Sequence, residues 1–87
     1  MKKIKERISD VLEIPKDAIL DLPQLVLSGN REITIDNYKG IVLYSDTVMK
    51  INAKDHIIQI SGSSLDIAHI GNNDISVAGF IEKIEFM

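Results

Sequence analysis

The spacing of apolar residues changes once along this chain, and that change constrains the fold more than any other feature. In the first segment, Ile4, Ile8, Val11 and Leu12 fall at i, i+4, i+7 and i+8, one face of a helix. From Leu25 onward the period is two. Leu25/Leu27, Ile33/Ile35, Ile41/Leu43, Met49/Ile51, Ile58/Ile60, Leu65/Ile67 and Ile75/Val77 alternate with residues such as Thr34, Lys50, Gln59, Asp66 and Ser76. Successive strand side chains point to opposite faces, so each such segment offers one apolar face to a core.

Turn chemistry punctuates the alternation about every 8–10 residues. The breaks are Ser28-Gly29-Asn30, Asn37 to Gly40, Ser45-Asp46, Ala53-Lys54-Asp55, Ser61 to Ser64 and Gly71 to Asp74. Connections this short join antiparallel neighbours, whereas a parallel crossover needs about a dozen residues. The reading is a mostly β domain: an antiparallel meander of six to eight short strands with an N-terminal amphipathic helix over residues 2–13. Pro15 ends that helix at Ile14, because the residue before a proline is pushed out of the α region. A short β-solenoid is the alternative. Leu25 to Gly29, Ile58 to Gly62 and Ile75 to Gly79 share an apolar-x-apolar-small-Gly ending, so the chain carries a faint internal repeat.

Two segments break the alternation. Ile41-Val42-Leu43-Tyr44 is apolar at every position and predicts a strand in the middle of the sheet or under the helix. Around Gly79 the apolar parity flips, from Ile75 and Val77 to Phe80, Ile84 and Phe86, which predicts a bulge or bend there. The expected core includes Ile41, Leu43, Ile58, Ile60, Leu65 and Ile67. The terminal stretch Phe80 to Met87 is the expected sheet edge, since Glu82, Lys83 and Glu85 resemble the charges that protect edges.

A length of 87 residues makes a single domain, 1–87, with a helical N-terminal segment at 1–23 and a β region at 24–87. Such a chain buries only about 60–65% of its unfolded surface. The chain has no cysteine, which removes disulfides and thiolate chemistry and fits a reducing cytoplasm. No apolar run approaches the ~20 residues of a spanning helix, and the charged start does not read as a signal peptide. The net charge of -3 argues against a nucleic-acid partner. Residues 1–16 alone carry Lys2, Lys3, Lys5, Arg7 and Lys16 against Glu6, Asp10 and Glu13. That excess of two positive charges suits either a solvated helix face or peripheral contact with an anionic membrane surface.

No constellation points to catalysis. His56 and His69 lie on different segments without ligand spacing, so they do not predict a metal site. Glu82 and Glu85 fall on opposite faces of a regular strand, and Asp17 and Asp21 read as surface charges. Ser61, Ser63 and Ser64 lack the G-x-S-x-G elbow of a nucleophilic serine, and no phosphate-binding glycine loop is present. The expectation is no catalytic, cofactor-binding or metal-ligating residue and no cofactor. A thin sheet offers edges instead, and an unpaired edge is a template for another strand.

Several ordered motifs carry a resemblance: Leu12-Glu-Ile-Pro-Lys-Asp-Ala-Ile-Leu-Asp-Leu-Pro23, Leu27-Ser-Gly-Asn30, Ile33-x-Ile-Asp-Asn-Tyr-Lys-Gly-Ile41, Ile60-x-Gly62-x-x-Leu65-x-Ile67 and Ile75-x-Val-x-Gly79-x-Ile81-x-x-Ile84-x-Phe86. In order and spacing the chain resembles the YabP/YqfC family of sporulation proteins, on its YqfC-like side. The resemblance implies a mother-cell protein that takes part in building the spore envelope. It implies no catalytic residues. The combined expectation is a non-enzymatic protein acting through protein–protein contacts, cytoplasmic or peripheral at the forespore-facing membrane. Its partner is another protein, with membrane proteins among the candidates, and a homo-oligomer is compatible. The alternatives are a self-assembling structural protein forming a layer or filament, and a small ligand- or metal-dependent enzyme.

Overall fold

The computed structural model describes residues 22–87. The helix expected at 2–13, the rest of the segment 1–21, and Asp17 and Asp21 lie outside the described residues. Six strands follow one another: β1 (Gln24–Ser28), β2 (Glu32–Asp36), β3 (Gly40–Tyr44), β4 (Val48–Asn52), β5 (Ile57–Ile70) and β6 (Asp74–Phe86). They form one sheet in the order β1-β2-β6-β5-β4-β3, and every pairing is antiparallel. The antiparallel expectation holds, and the solenoid alternative falls because no rungs run parallel. The meander holds only for β3 to β6. The β1–β2 hairpin instead attaches to the far side of β6.

Five of the expected breaks are connections. Gly29 supplies the positive φ of the β1–β2 turn, which the Arg31 amide closes on the Ser28 carbonyl at 3.1 Å. In the β3–β4 turn, the Ser45 hydroxyl accepts from the Val48 amide at 3.0 Å, a side chain standing in for backbone. The sixth break is a correction. Ser61 to Ser64 does not separate two strands but lies within β5, which runs for 14 residues beside the 13 of β6.

These two long strands bend where they cross. Gly79 has φ 142° and Ser64 has φ 54°. The β5–β6 register shifts between Ser61 and Gly62 and again between Ser63 and Asp66. A Cβ on Gly62 would strike the Phe80 carbonyl, and one on Gly79 would lie 2.6 Å from the Ser64 carbonyl oxygen. Glycine is therefore required at both positions by close backbone approach, and at Gly79 by dihedral as well. The expected irregularity at Gly79 is present. The sequence left its partner at Gly62 unread.

The crossing exchanges neighbours. Before its bend β5 pairs with β4, and after it only with β6. Before its bend β6 pairs with β2, and after it only with β5. The sheet thus has two four-stranded halves, β1-β2-β6-β5 and β3-β4-β5-β6, sharing the two bent strands. Corners of this kind are how a sheet turns over onto itself.

The pleat gives each half one apolar face. Leu25, Ile35, Ile75 and Ile70 stand in one cross-strand row, and Leu27, Ile33, Val77 and Ile67 in the next. In the other half the rows are Met49, Ile60 and Ile84, then Ile51, Ile58 and Phe86. Buried members of both halves belong to a single hydrophobic cluster. The two apolar faces therefore close on each other, and that shared burial is the main stabilising term.

Ile58, Ile60 and Leu65 are buried as expected, and Ile67 packs half-buried against them. Ile41 and Leu43 are corrections, since both are exposed. β3 is the last strand of its half, not a central one. A run apolar on both faces does not distinguish burial by two layers from exposure at a margin.

Candidate interaction surface

The folded-over sheet leaves four margins that no other described strand pairs: β1, β3, the end of β5 from Leu65, and the end of β6 from Ile81. An unpaired margin displays backbone donors and acceptors, so what guards it decides whether it binds another strand.

Two margins are guarded. Along β5, the Leu65 amide donates to the Asp46 carbonyl at 2.9 Å, and the Ile67 amide to the Asp66 carboxylate at 2.9 Å. The β6 margin is the edge expected from the sequence, and it carries Glu82, Lys83 and Glu85. Lys83 and Glu85 form an ion pair at 3.4 Å, and Glu85 also accepts from the Gln59 amide at 3.1 Å. A cleft of about 200 Å³ separates this margin from the β1–β2 turn, lined by Leu27, Gly29, Asn30 and Ile81 to Ile84. That is below the ~300 Å³ at which small-molecule sites begin. The turn is tied across β6 by the Gly79 amide on the Arg31 carbonyl at 3.0 Å and the Ile81 amide on the Asn30 carbonyl at 2.8 Å. The Arg31 guanidinium sits 4.6 Å from the Phe80 ring centre, a cation–π contact.

The other two margins carry no charge. β1 starts directly after Pro23, which cannot donate to a ladder and limits the strand at that end. β3 is the more open. Ile41 is 40% exposed, Val42 54%, Leu43 43% and Tyr44 55%. Ile41 pairs with Ile51 and Tyr44 with Met49, while Leu43 pairs with Lys50. The register shift between Ile41 and Leu43 leaves Val42 as an extra residue. Ile41 and Tyr44 therefore face the core side, and Val42 and Leu43 together occupy the outer side opposite Lys50. The Tyr44 hydroxyl donates to the Asp66 carboxylate at 2.7 Å, reaching from the margin of one half to that of the other. This bond holds the phenol above its ordinary value of 10.0, with smaller contributions from lost hydration and the Asp66 charge.

The polar residues weighed in the sequence are not gathered. His56 lies before β5, its ring edge-on to Phe86 at 6.1 Å, while His69 lies near the far end of the same strand, 3.6 Å from Asp74. Ser61 faces outward near Gln59, and Ser63 and Ser64 are exposed at the crossing. Among the described residues, no three His, Asp or Glu side chains are grouped to hold a metal ion. No described helix is long and apolar enough to cross a membrane.

The sequence model of the YabP family matches residues 21–87, three quarters of the chain and all of its described part. The chain belongs to the YabP family. A second YabP/YqfC relationship agrees with it: the chain is 29% identical over 85 residues to YqfC of Bacillus subtilis strain 168, a protein named only as uncharacterized, covering 98% of this chain and 91% of YqfC. No solved structure matches. The family is associated with sporulation, without an assigned molecular activity. In this YabP-family chain, three of the motifs that carried the resemblance fall on joints of the fold. Leu27-Ser-Gly-Asn30 is the turn tied across β6, and the segments around Gly62 and Gly79 are the strand crossing.

Sequence reading missed the β3 margin as a binding surface. The signal was present, an uncharged run bounded by Lys39 and Asp46, but burial explained the same run equally well.

Proposed function

We propose that this YabP-family chain is a non-enzymatic binding module that serves spore-envelope assembly in the mother cell through strand-edge contacts with another protein. The observation that carries the reading is β3: a sheet margin with four consecutive exposed apolar residues and no charge. Soluble domains normally blunt such a margin with charge, proline or cover. Leaving it open is costly in solubility and suits a strand that is completed by a partner. The dispersed histidines, serines and carboxylates support the same reading, because chemistry needs them convergent. Residues 1–16, with their excess of positive charge, are the part of the chain suited to the forespore-facing membrane surface.

The test is complementation in a sporulating host lacking its own copy, scored as heat-resistant spores. The variants are Leu43→Lys, His56→Ala, His69→Ala and Glu82→Ala, each first shown by circular dichroism to fold. Leu43→Lys should lose function, since it places a charge on the open margin without touching the core, and the other three should retain it. Loss with a histidine or glutamate variant while Leu43→Lys complements would overturn the reading and direct attention to a chemical site.

A further inference from the structure

We infer that the partner completing β3 includes a second copy of this chain, joined β3 to β3 across a twofold axis. The inference rests on the reading of β3 as a binding margin and names its occupant. The ground is self-complementarity. The margin reads Lys39-Gly40-Ile41-Val42-Leu43-Tyr44-Ser45-Asp46. Laid antiparallel against itself about its centre, Lys39 meets Asp46 of the second copy and Gly40 meets Ser45. Ile41 meets Tyr44, and Val42 meets Leu43. Opposite charges bracket both ends, small residues face small residues, and apolar residues face apolar ones. Lys39 also has an interaction within its own chain, so the charge pairing adds to that contact.

The irregularity in β3 is what permits this register. Residues directly opposite in an antiparallel pair share a face of the sheet. In a regular strand Val42 and Leu43 point to opposite faces, so they could not meet across a twofold axis perpendicular to the sheet. Here the shifted register puts both on the outer side and leaves Ile41 and Tyr44 both on the core side. Each of the four apolar pairings then joins residues on the same face. The result is an isologous interface, the same patch used twice, which closes as a dimer and does not propagate. It joins the β3-β4-β5-β6 halves of two copies into one eight-stranded sheet and covers the most open apolar margin among the described residues.

Sedimentation over a concentration series reads the proposal directly. The wild-type chain should shift from monomer to dimer and no further. Val42→Lys should remain monomeric with an unchanged circular dichroism spectrum, because Val42 is exposed and has no register partner on β4. Lys39→Asp alone, or Asp46→Lys alone, should weaken self-association about tenfold, since each turns two attractive end pairs into repulsive ones. Mixing those two variants should restore association as a heterodimer, because each residue 39 then meets an oppositely charged residue 46. A wild type that stays monomeric, or a dimer indifferent to Val42→Lys and to the charge exchange, would overturn the inference. Failure here is separable from failure of the proposed function. A monomeric protein that still needs Leu43 for sporulation leaves β3 binding a different protein. A dimer that is broken by Leu43→Lys without loss of sporulation leaves the dimer and removes the functional reading.

Discussion

At Gly62 and Gly79, where the two long strands cross, the opposing backbone leaves no room for a Cβ. Gly79 combines φ 142° with a backbone neighbour 2.6 Å from where a Cβ would be, and that neighbour is a carbonyl oxygen unable to rotate aside. Gly62 meets the Phe80 carbonyl in the same way from the other strand. An alanine at either position forces β5 and β6 apart where both halves of the sheet depend on them. Gly79→Ala should therefore destabilise the fold by about 1–3 kcal/mol or more. For a domain of this size that lowers the melting midpoint by roughly 4–8 °C per kcal/mol. Gly40→Ala is the control, because a Cβ there has nothing within 4 Å and φ is ordinary. Equal melting temperatures for the two variants would show that the crossing is looser than its geometry.

At the scale of the strand, the four margins differ in what protects them, and the difference is chemical. The β6 margin is charged and the β5 margin is capped by its own Asp66 and by the Asp46 carbonyl. β1 and β3 rely on neither. Charge on an exposed margin makes edge-to-edge pairing costly, because the incoming strand must bury or repel it. Replacing Glu82, Lys83 and Glu85 together by threonine should leave the fold intact and open a further binding margin. Light scattering should then show species larger than a dimer, because a sticky β6 edge beyond the closed β3 pairing allows open-ended addition. An unchanged particle size would mean that those charges are not what keeps the β6 margin unpaired.

Across the whole molecule, one core serves both halves. Ile33, Ile35, Ile75 and Val77 from one half and Met49, Ile51, Ile58 and Ile60 from the other are fully buried in the same cluster. Neither half has a second apolar layer of its own among the described residues, so neither should persist when the other opens. Ile35→Ala and Ile60→Ala, one from each half, should each cost about 2–5 kcal/mol. Both should move a single unfolding transition that retains its cooperativity. Two separable transitions, each sensitive to one variant, would contradict a shared core. At about 0.05–0.15 kcal/mol per residue, either loss is a large part of the total stability. That marginality is itself a reason for the chain to gain from association.

Alternation and turn chemistry made the antiparallel β class, all five connections between strands and the irregularity at Gly79 legible in the sequence, because these depend on local spacing and local backbone freedom. The inward residues of β4 and of the first parts of β5 and β6 were legible for the same reason, whereas past Gly79 the sequence pointed to Phe80 and Phe86, which are exposed, and Ile81 is the buried residue. The tertiary structure decided what spacing does not encode. It made Ser61 to Ser64 a bend within one long strand, since a serine–glycine cluster suits a turn and a crossing equally until the partner backbone is in place. It also placed Ile41 to Tyr44 at a margin. An uncharged apolar run can be covered by two neighbouring layers or left for a partner, and that depends on how many strands the rest of the chain supplies on that side. The candidate surface was half legible on the same grounds: the charged guard of β6 could be read from Glu82, Lys83 and Glu85. The open margin of β3 became visible only when the strand order showed that no described strand lies beyond it.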